Sequence, residues 1–372
     1  MPDRVVQDIQ SALSKVIDPE LRRPITELGM VGQILVSDQA LTIEIKLTVV
    51  GCPAADRIES EVEAAARQVS GGREIQLRMG VMDASERAAL TQMLTGGRVK
   101  ANPFTPESLT RVLLVGSGKG GVGKTSVTVN LAVELADRGY AVGLLDADVF
   151  GFSVPGQLGL AGSPVRIDDL MVPPVAFGVK AISIGMFVAG NQAVAWRGPM
   201  LHRTVSQFLT DVYWGELDYL LIDLPPGTGD IAISLGQLLP QGEHLVITTP
   251  QAAAAEVAER SAAVGLQTGQ SVLGVIENMS WMTDSSGVKL EIFGTGGGQT
   301  VAQALSRLTE KPVELIGQVP IDVELRIGSD SASPIVLSHP DSPAALALKA
   351  ITDKIVASRE PLAGKRLPLS LG

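Results

Sequence analysis

The chain has 372 residues, enough for about two domains at roughly 150 residues each. Hydrophobic residues make up 45% and charged residues 19%, which excludes a disordered chain. Thirty Lys+Arg against 40 Asp+Glu give a net charge of −10, a poor basis for nonspecific DNA binding, and a single cysteine, Cys52, excludes an internal disulfide framework or a zinc site of several thiolates.

The N-terminal residues run straight into a charged amphipathic pattern with no apolar leader, so a cytoplasmic location is expected. Val5, Ile9, Leu13 and Val16 recur at helical spacing. Residues 41–47 alternate apolar and polar, the period of a half-buried strand. Ile58, Val62, Ala65 and Val69 mark a second helix, and a strand over 74–81 follows Gly71 and Gly72. The order helix, strand, strand, helix, strand, short helix predicts a small α+β domain over 1–95. Residues 96–106 hold Gly, Asn and two Pro without periodicity and open a linker that extends to 109.

From 110 the pattern changes. Continuous apolar runs at 112–115, 141–145, 218–222, 244–248 and 272–276 alternate with amphipathic helices at about 125–138, 228–239, 253–265 and 299–309. Such strands belong to a parallel sheet covered by helices on both faces. The most apolar stretch, 171–196, is interrupted by Pro173, Pro174, Gly178, Gly185 and Gly190. It reads as buried strands and turns, and no membrane association is expected. A second domain over 110–360 and a loose tail over 361–372 complete the organisation.

One segment carries the chemistry. The apolar run 112–115 leads into Gly118, Lys119, Gly120, Gly121, Val122, Gly123, Lys124, Thr125 and Ser126, which fits G-x-x-x-x-G-K-[ST] between a strand and a helix. Phosphates need converging donors. Here the glycines let backbone N–H groups close around them, and the helix N-terminus adds its dipole. Lys124 is expected to reach the β- and γ-phosphates and the Thr125 hydroxyl to ligate Mg²⁺. Asp146, Asp148 and Asp223 stand at the ends of two further apolar runs, where an open α/β sheet places its ligands. The fold expected is an α/β P-loop NTPase with a mostly parallel sheet, preceded by the small α+β domain.

Lys119 makes the loop resemble the deviant P-loop of the MinD, ParA and arsenite-ATPase group. That resemblance implies an ATP-driven homodimer in which Lys119 reaches the partner's nucleotide. It also implies that Asp148 orients the attacking water and that Asp146 and Asp223 hold the Mg²⁺ shell. Together with residues 146–151, 196–200, 223–230 and 277–280, the chain resembles the Mrp (ApbC) family of iron–sulfur cluster carrier ATPases over about 110–345. Asp18-Pro-Glu20, and Cys52 before Pro53, resemble the marks of the metal–sulfur cluster assembly domain that some members carry in front. The family resemblance implies that Asn278 meets the adenine edge, with Pro320 and Asp322 on the loop beside it.

The cluster-binding members of that family have a Cys-x-x-Cys pair shortly after the Glu277–Ser280 segment. Here no cysteine follows Cys52. Two thiolates per dimer fall short of the four that most clusters use, so a labile Fe–S cluster dependent on Cys52 is expected. On position alone Cys52 has two readings: a thiolate activated by the helix that follows, or an inert buried residue. Expected partners are a second copy and Fe–S client or assembly proteins. Two other functions fit the same ATPase: a MinD/ParA-type positioning ATPase, and an ATP-dependent assembly factor that carries no cluster.

Overall fold

The computed structural model describes residues 2–97, 101–149, 151–187, 198–227, 229–251, 265–284 and 286–359. The tail 361–372, most of the helix expected at 253–265, and Trp196 with Arg197 lie outside the described residues.

The N-terminal elements follow the predicted order. They are α1 (Pro2–Leu13), β1 (Val31–Val36), β2 (Ala40–Leu47), α2 (Ala55–Val69), β3 (Glu74–Val81) and α3 (Ala84–Thr95). β1 pairs antiparallel with β2, and β2 pairs parallel with β3. The alternation of β2 drives this packing: Leu41, Ile43, Ile45 and Leu47 are buried against Ile9, Leu13, Ile58 and Val62 of α1 and α2. A capping box between Asp83 and Glu86 opens α3, and Gly96 in the left-handed region closes it.

An eight-stranded sheet follows. Its strands are β4 (Arg111–Ser117), β5 (Val142–Asp146), β8 (Val175–Ala176), β9 (Val179–Ser183), β10 (Tyr219–Asp223), β11 (Glu243–Thr248), β12 (Ser271–Asn278) and β15 (Leu315–Val319). Their order is β15-β12-β11-β4-β10-β5-β9-β8, and every pairing is parallel except β8 with β9. Successive side chains go to opposite faces. Leu113, Val115, Tyr219 and Leu221 meet α4 (Lys124–Asp137), α5 (Val154–Leu158), α10 (Ile335–Ser338) and α11 (Pro343–Ala357). Val112, Leu114, Leu220 and Ile222 meet α6 (Gly198–Thr210) and α7 (Asp230–Leu238). α8 (Gly297–Thr309) covers Val246 and Val275.

Two hairpins lie outside the sheet: β6 (Val165–Ile167) with β7 (Leu170–Val172), and β13 (Met282–Thr283) with β14 (Lys289–Leu290). The first joins the N-terminal core, where Ile167 and Val172 are buried. Beside it Arg87 donates to Asp168 Oδ1 at 3.3 Å, and Arg22 donates to the Gly178 carbonyl in the β8–β9 turn. Among the described residues no helix is long and apolar enough to cross a membrane.

Candidate nucleotide site

Parallel pairing sets the site. Asp223 is in register with Val115 of β4 on one side and Asp146 of β5 on the other, and Asp146 is in register with Ser183 of β9. The last residues of β10, β5 and β9 thus meet at one edge of the sheet, beside β4, which runs two residues further to Ser117 and opens into the glycine loop. That is the edge where α/β sheets bind ligands.

Gly121 and Gly123 both have φ of 76°, a region costly for any side chain, and they turn the loop into α4. A Cβ on Gly123 would stand 2.3 Å from Asn278 Nδ2. That amide donates instead to the Val122 carbonyl at 2.9 Å, so Asn278 braces the loop from the end of β12. Lys124, the first residue of α4, is buried. Its Nζ lies 2.7 Å from Asp223 Oδ1 and 4.0 Å from Asp148 Oδ2. The 2.7 Å contact is ionic, and the ammonium has no well-angled hydrogen bond.

Asp223 also accepts from Thr125 Oγ1 at 2.6 Å and from Thr128 Oγ1 at 3.0 Å. Burial pushes its carboxyl up, against the pull of Lys124 and the hydrogen bonds from Thr125 and Thr128. Asp146 accepts from Ser183 Oγ at 2.9 Å and from the backbone N–H of Asp148 at 3.1 Å. Burial, then the neighbouring Asp223, pushes its carboxyl up to about 7. Asp148 is buried and accepts from the Gly151 N–H at 3.1 Å. Two carboxyls pressed together and uncompensated by a second cation suit a position that takes positive charge.

The donor set fits a nucleotide phosphate. A buried ammonium held by ion pairs and a loop shaped by two left-handed glycines offer donors where phosphate oxygens bring acceptors. Thr125, Asp223 and Asp146 fit a hard divalent cation, being an oxygen-only set.

The remaining expected residues are placed as follows. Lys119 Nζ donates to Gln251 Oε1 at 2.5 Å, within its own chain. Ser126 accepts from Ser329 Oγ at 3.0 Å, which ties the first turn of α4 to α9 (Val323–Asp330). Pro320 is buried, and Asp322 caps α9 by accepting from the Glu324 N–H at 2.9 Å. Cys52 lies elsewhere. It is 6% exposed in the N-terminal core, and burial pushes its thiol up to about 11, with Glu20 and Asp18 adding to the rise. The backbone N–H of Ala54 pulls the other way but loses. Of the two readings of this position, its burial favours the inert one: at a helix start closed off from water, desolvation outweighs the amide. Among the described residues no group of three or more His, Cys, Asp or Glu is arranged to hold a metal ion.

Sequence reasoning missed Thr128, Ser183 and Gln251. Thr128 sits one turn beyond Lys124, on the helix face that meets β10. Ser183 is a polar residue closing the run Val179–Ser183 at the same sheet edge as Asp146. Both signals were available in the sequence. Gln251 carries none, because only the fold brings it to Lys119.

A fold that brings a buried ammonium, backbone amides and three carboxylates to one point of the sheet edge defines a P-loop nucleotide-binding protein. The family described as NUBPL iron-transfer P-loop NTPase matches residues 108–356, and the chain belongs to it. A second family, described as iron–sulfur cluster assembly protein, matches residues 6–77. The chain is 51% identical over 364 residues to the iron–sulfur cluster carrier protein of Mycobacterium bovis, covering 97% of this chain and 96% of that one. It is 43% identical over 343 residues to the protein of that name in Deinococcus radiodurans, covering 91% of each. Among solved structures it resembles a nucleotide-binding protein in complex with ADP from Archaeoglobus fulgidus, at 32% identity and a TM-score of 0.52. That match covers 65% of this chain and 99% of the other.

Proposed function

We propose that this chain is an ATP-hydrolysing carrier that binds iron–sulfur clusters and hands them to apoproteins, working as a homodimer in the cytoplasm. The observation that carries the ATP half is the buried Lys124 ammonium at the start of α4, held by ion pairs to Asp223 and Asp148 beside the Gly121–Gly123 turn. Relatives of near-full-length coverage that bear the carrier name support the cargo half.

In this reading Lys124 swings from Asp223 to the β- and γ-phosphates, and the loop amides hold their oxygens. Thr125 and Asp223, with Asp146 in the surrounding shell, would hold Mg²⁺, which would supply charge neutralisation at the phosphates. Asp148 orients the attacking water. Lys119 leaves Gln251 and reaches the partner's nucleotide. Asn278, Pro320 and Asp322 border the adenine. Lys124→Ala should weaken nucleotide binding by on the order of 100-fold, since a charge-assisted contact to phosphate is lost. Asp148→Asn should bind normally and turn over slowly. Unchanged turnover in both variants would overturn the ATPase reading.

The cluster is cargo, and Cys52 is the one thiolate each subunit can offer it. Its burial favours a second reading, an assembly factor that carries no cluster. Anaerobic reconstitution of the wild type beside Cys52→Ser separates the two. A carrier takes up iron and sulfide and loses them with the cysteine, whereas the assembly factor takes up neither.

A further inference from the structure

The N-terminal domain and the large sheet enclose a cavity of about 790 Å³. Met93 and Leu94 of α3, with Leu170, Val212, Trp214 and Leu217, give it an apolar wall. Arg22 and Arg23 reach it from the turn after Asp18, and Lys180 reaches it from β9. A space of that size takes a whole small organic molecule.

Two of these cations lack a counter-charge. Lys180 is 3% exposed, and its Nζ donates to main-chain carbonyls, Trp214 at 2.9 Å and Tyr213 at 3.4 Å. Arg22 is half-buried and gives one of its five N–H donors to the Gly178 carbonyl, two residues before Lys180. Among the described residues neither forms an ion pair, and the carboxylates on the lining, Asp169, Asp211 and Glu216, pair with neither. Burial lowers the pKa of both, and Arg22 lowers that of Lys180 further. Asp18 attracts Lys180, but its Oδ1 already accepts from the N–H groups of Glu20 and Leu21 at 3.0 and 2.7 Å. Arg23 differs, with its Nη2 3.4 Å from Glu27.

The backbone adds a second observation. Arg22 has φ of 56°, in the left-handed region that glycine enters without strain and a larger residue does not. A strained residue that brings an unpaired charge into a cavity points to a ligand. We propose that this cavity binds a small organic oxyanion, a carboxylate or a phosphate monoester with an apolar body. The head lies between Arg22 and Lys180, where the remaining guanidinium N–H groups offer the paired donors that such oxygens accept. The body packs on the wall of Leu94, Trp214 and Leu217. One anion thereby compensates two cations, the converse of the Asp146 and Asp223 pair that suits a positive charge. Because Arg22 belongs to the N-terminal domain and Lys180 to the sheet, the ligand bridges the two.

The site does not depend on the proposed function. Titration calorimetry of the full chain tests it, with Mg-ADP in excess to fill the phosphate loop. The probes are benzoate, phenyl phosphate and the uncharged benzamide. At least one of the two anions should bind, and the one that does identifies the head group; benzamide should not. Arg22→Gly removes the charge and relaxes the turn. It should raise the Kd of the anion by about 10- to 100-fold while the melting temperature stays within about 4 °C of wild type. Lys180→Met, which keeps the length of the side chain, should weaken the anion by a similar factor. Were Arg22 there for the fold alone, Arg22→Gly would move the melt and leave the Kd unchanged. Binding of neither anion, equal binding of benzamide, or binding that Arg22→Gly leaves unchanged overturns the site. Failure of ADP to bind overturns the nucleotide reading alone, because the dependence of either anion on Arg22 still decides this one.

Discussion

At the scale of single residues, the site is an argument between burial and charge. Asp223 and Asp146 stand side by side, Lys124 pairs with Asp223, and both carboxyls are pushed up. Lys124 is held to Asp223 by a 2.7 Å ion pair, and in the proposed function it exchanges that aspartate for a phosphate. Cys52 shows the same contest with the opposite outcome for reactivity. With its thiol near 11 against an ordinary 9.0, the thiolate fraction at pH 8 falls by about a hundredfold. Alkylation of the folded chain should therefore be slower than that of the urea-unfolded chain by about that factor. Comparable rates would show that the thiol is accessible and ionised. The motif residues were legible because a phosphate loop announces itself in sequence. The state of Cys52 was not, since Pro53 and a helix start look the same whether the core closes over the sulfur or leaves it open.

At the scale of elements, β9 links two regions. Ser183 at its end holds Asp146, while Lys180 near its start is buried against the N-terminal residues. Lys180 Nζ donates to the Trp214 carbonyl at 2.9 Å and the Tyr213 carbonyl at 3.4 Å. Burial, then Arg22, pulls its pKa down from 10.5 to about 8, while Asp18 opposes the fall. Between those values the unfolded chain binds more protons than the folded one, so stability rises with pH across that window. Raising the pH from 7 to 10 should therefore stabilise the wild type relative to Lys180→Met by about 1–3 kcal/mol in thermal melts. No relative gain would mean that Lys180 is uncharged or solvated already. The β6–β7 hairpin makes a second link. Ile167 is 1% exposed in the N-terminal core, and Ile167→Ala should lower stability by about 2–4 kcal/mol, measured by urea titration. The stretch 171–196 was read from sequence as strands and turns, and β7, β8 and β9 fit that. The hairpin's target was not legible, because two apolar residues in a short ribbon carry no period that names a partner.

At the scale of the whole molecule, the sheet was the most readable feature. Five apolar runs were visible, and β4, β5, β10, β11 and β12 stand on them. Their spatial order was not visible, because neighbours in a parallel sheet are joined by crossovers and not by turns. Nucleotide should act on all of it at once. With ATP at about 100 times its dissociation constant, a ligand bound only to the folded chain adds about 2.7 kcal/mol. Calorimetry should show that shift in wild type and lose it in Lys124→Ala. The strand order also has a consequence in time. The three N-terminal strands are all complete by Val81, whereas Arg111 of β4 finds its partner Tyr219 only 219 − 111 = 108 residues later. At about 5–20 residues per second, the ribosome takes roughly 5–20 s to deliver that partner. During that interval Val112–Val115 is an apolar strand with neither neighbour made, since β11 comes later still. Nascent chains stalled before 219 should therefore present this segment to chaperones and proteases, while the first ninety residues are already protected.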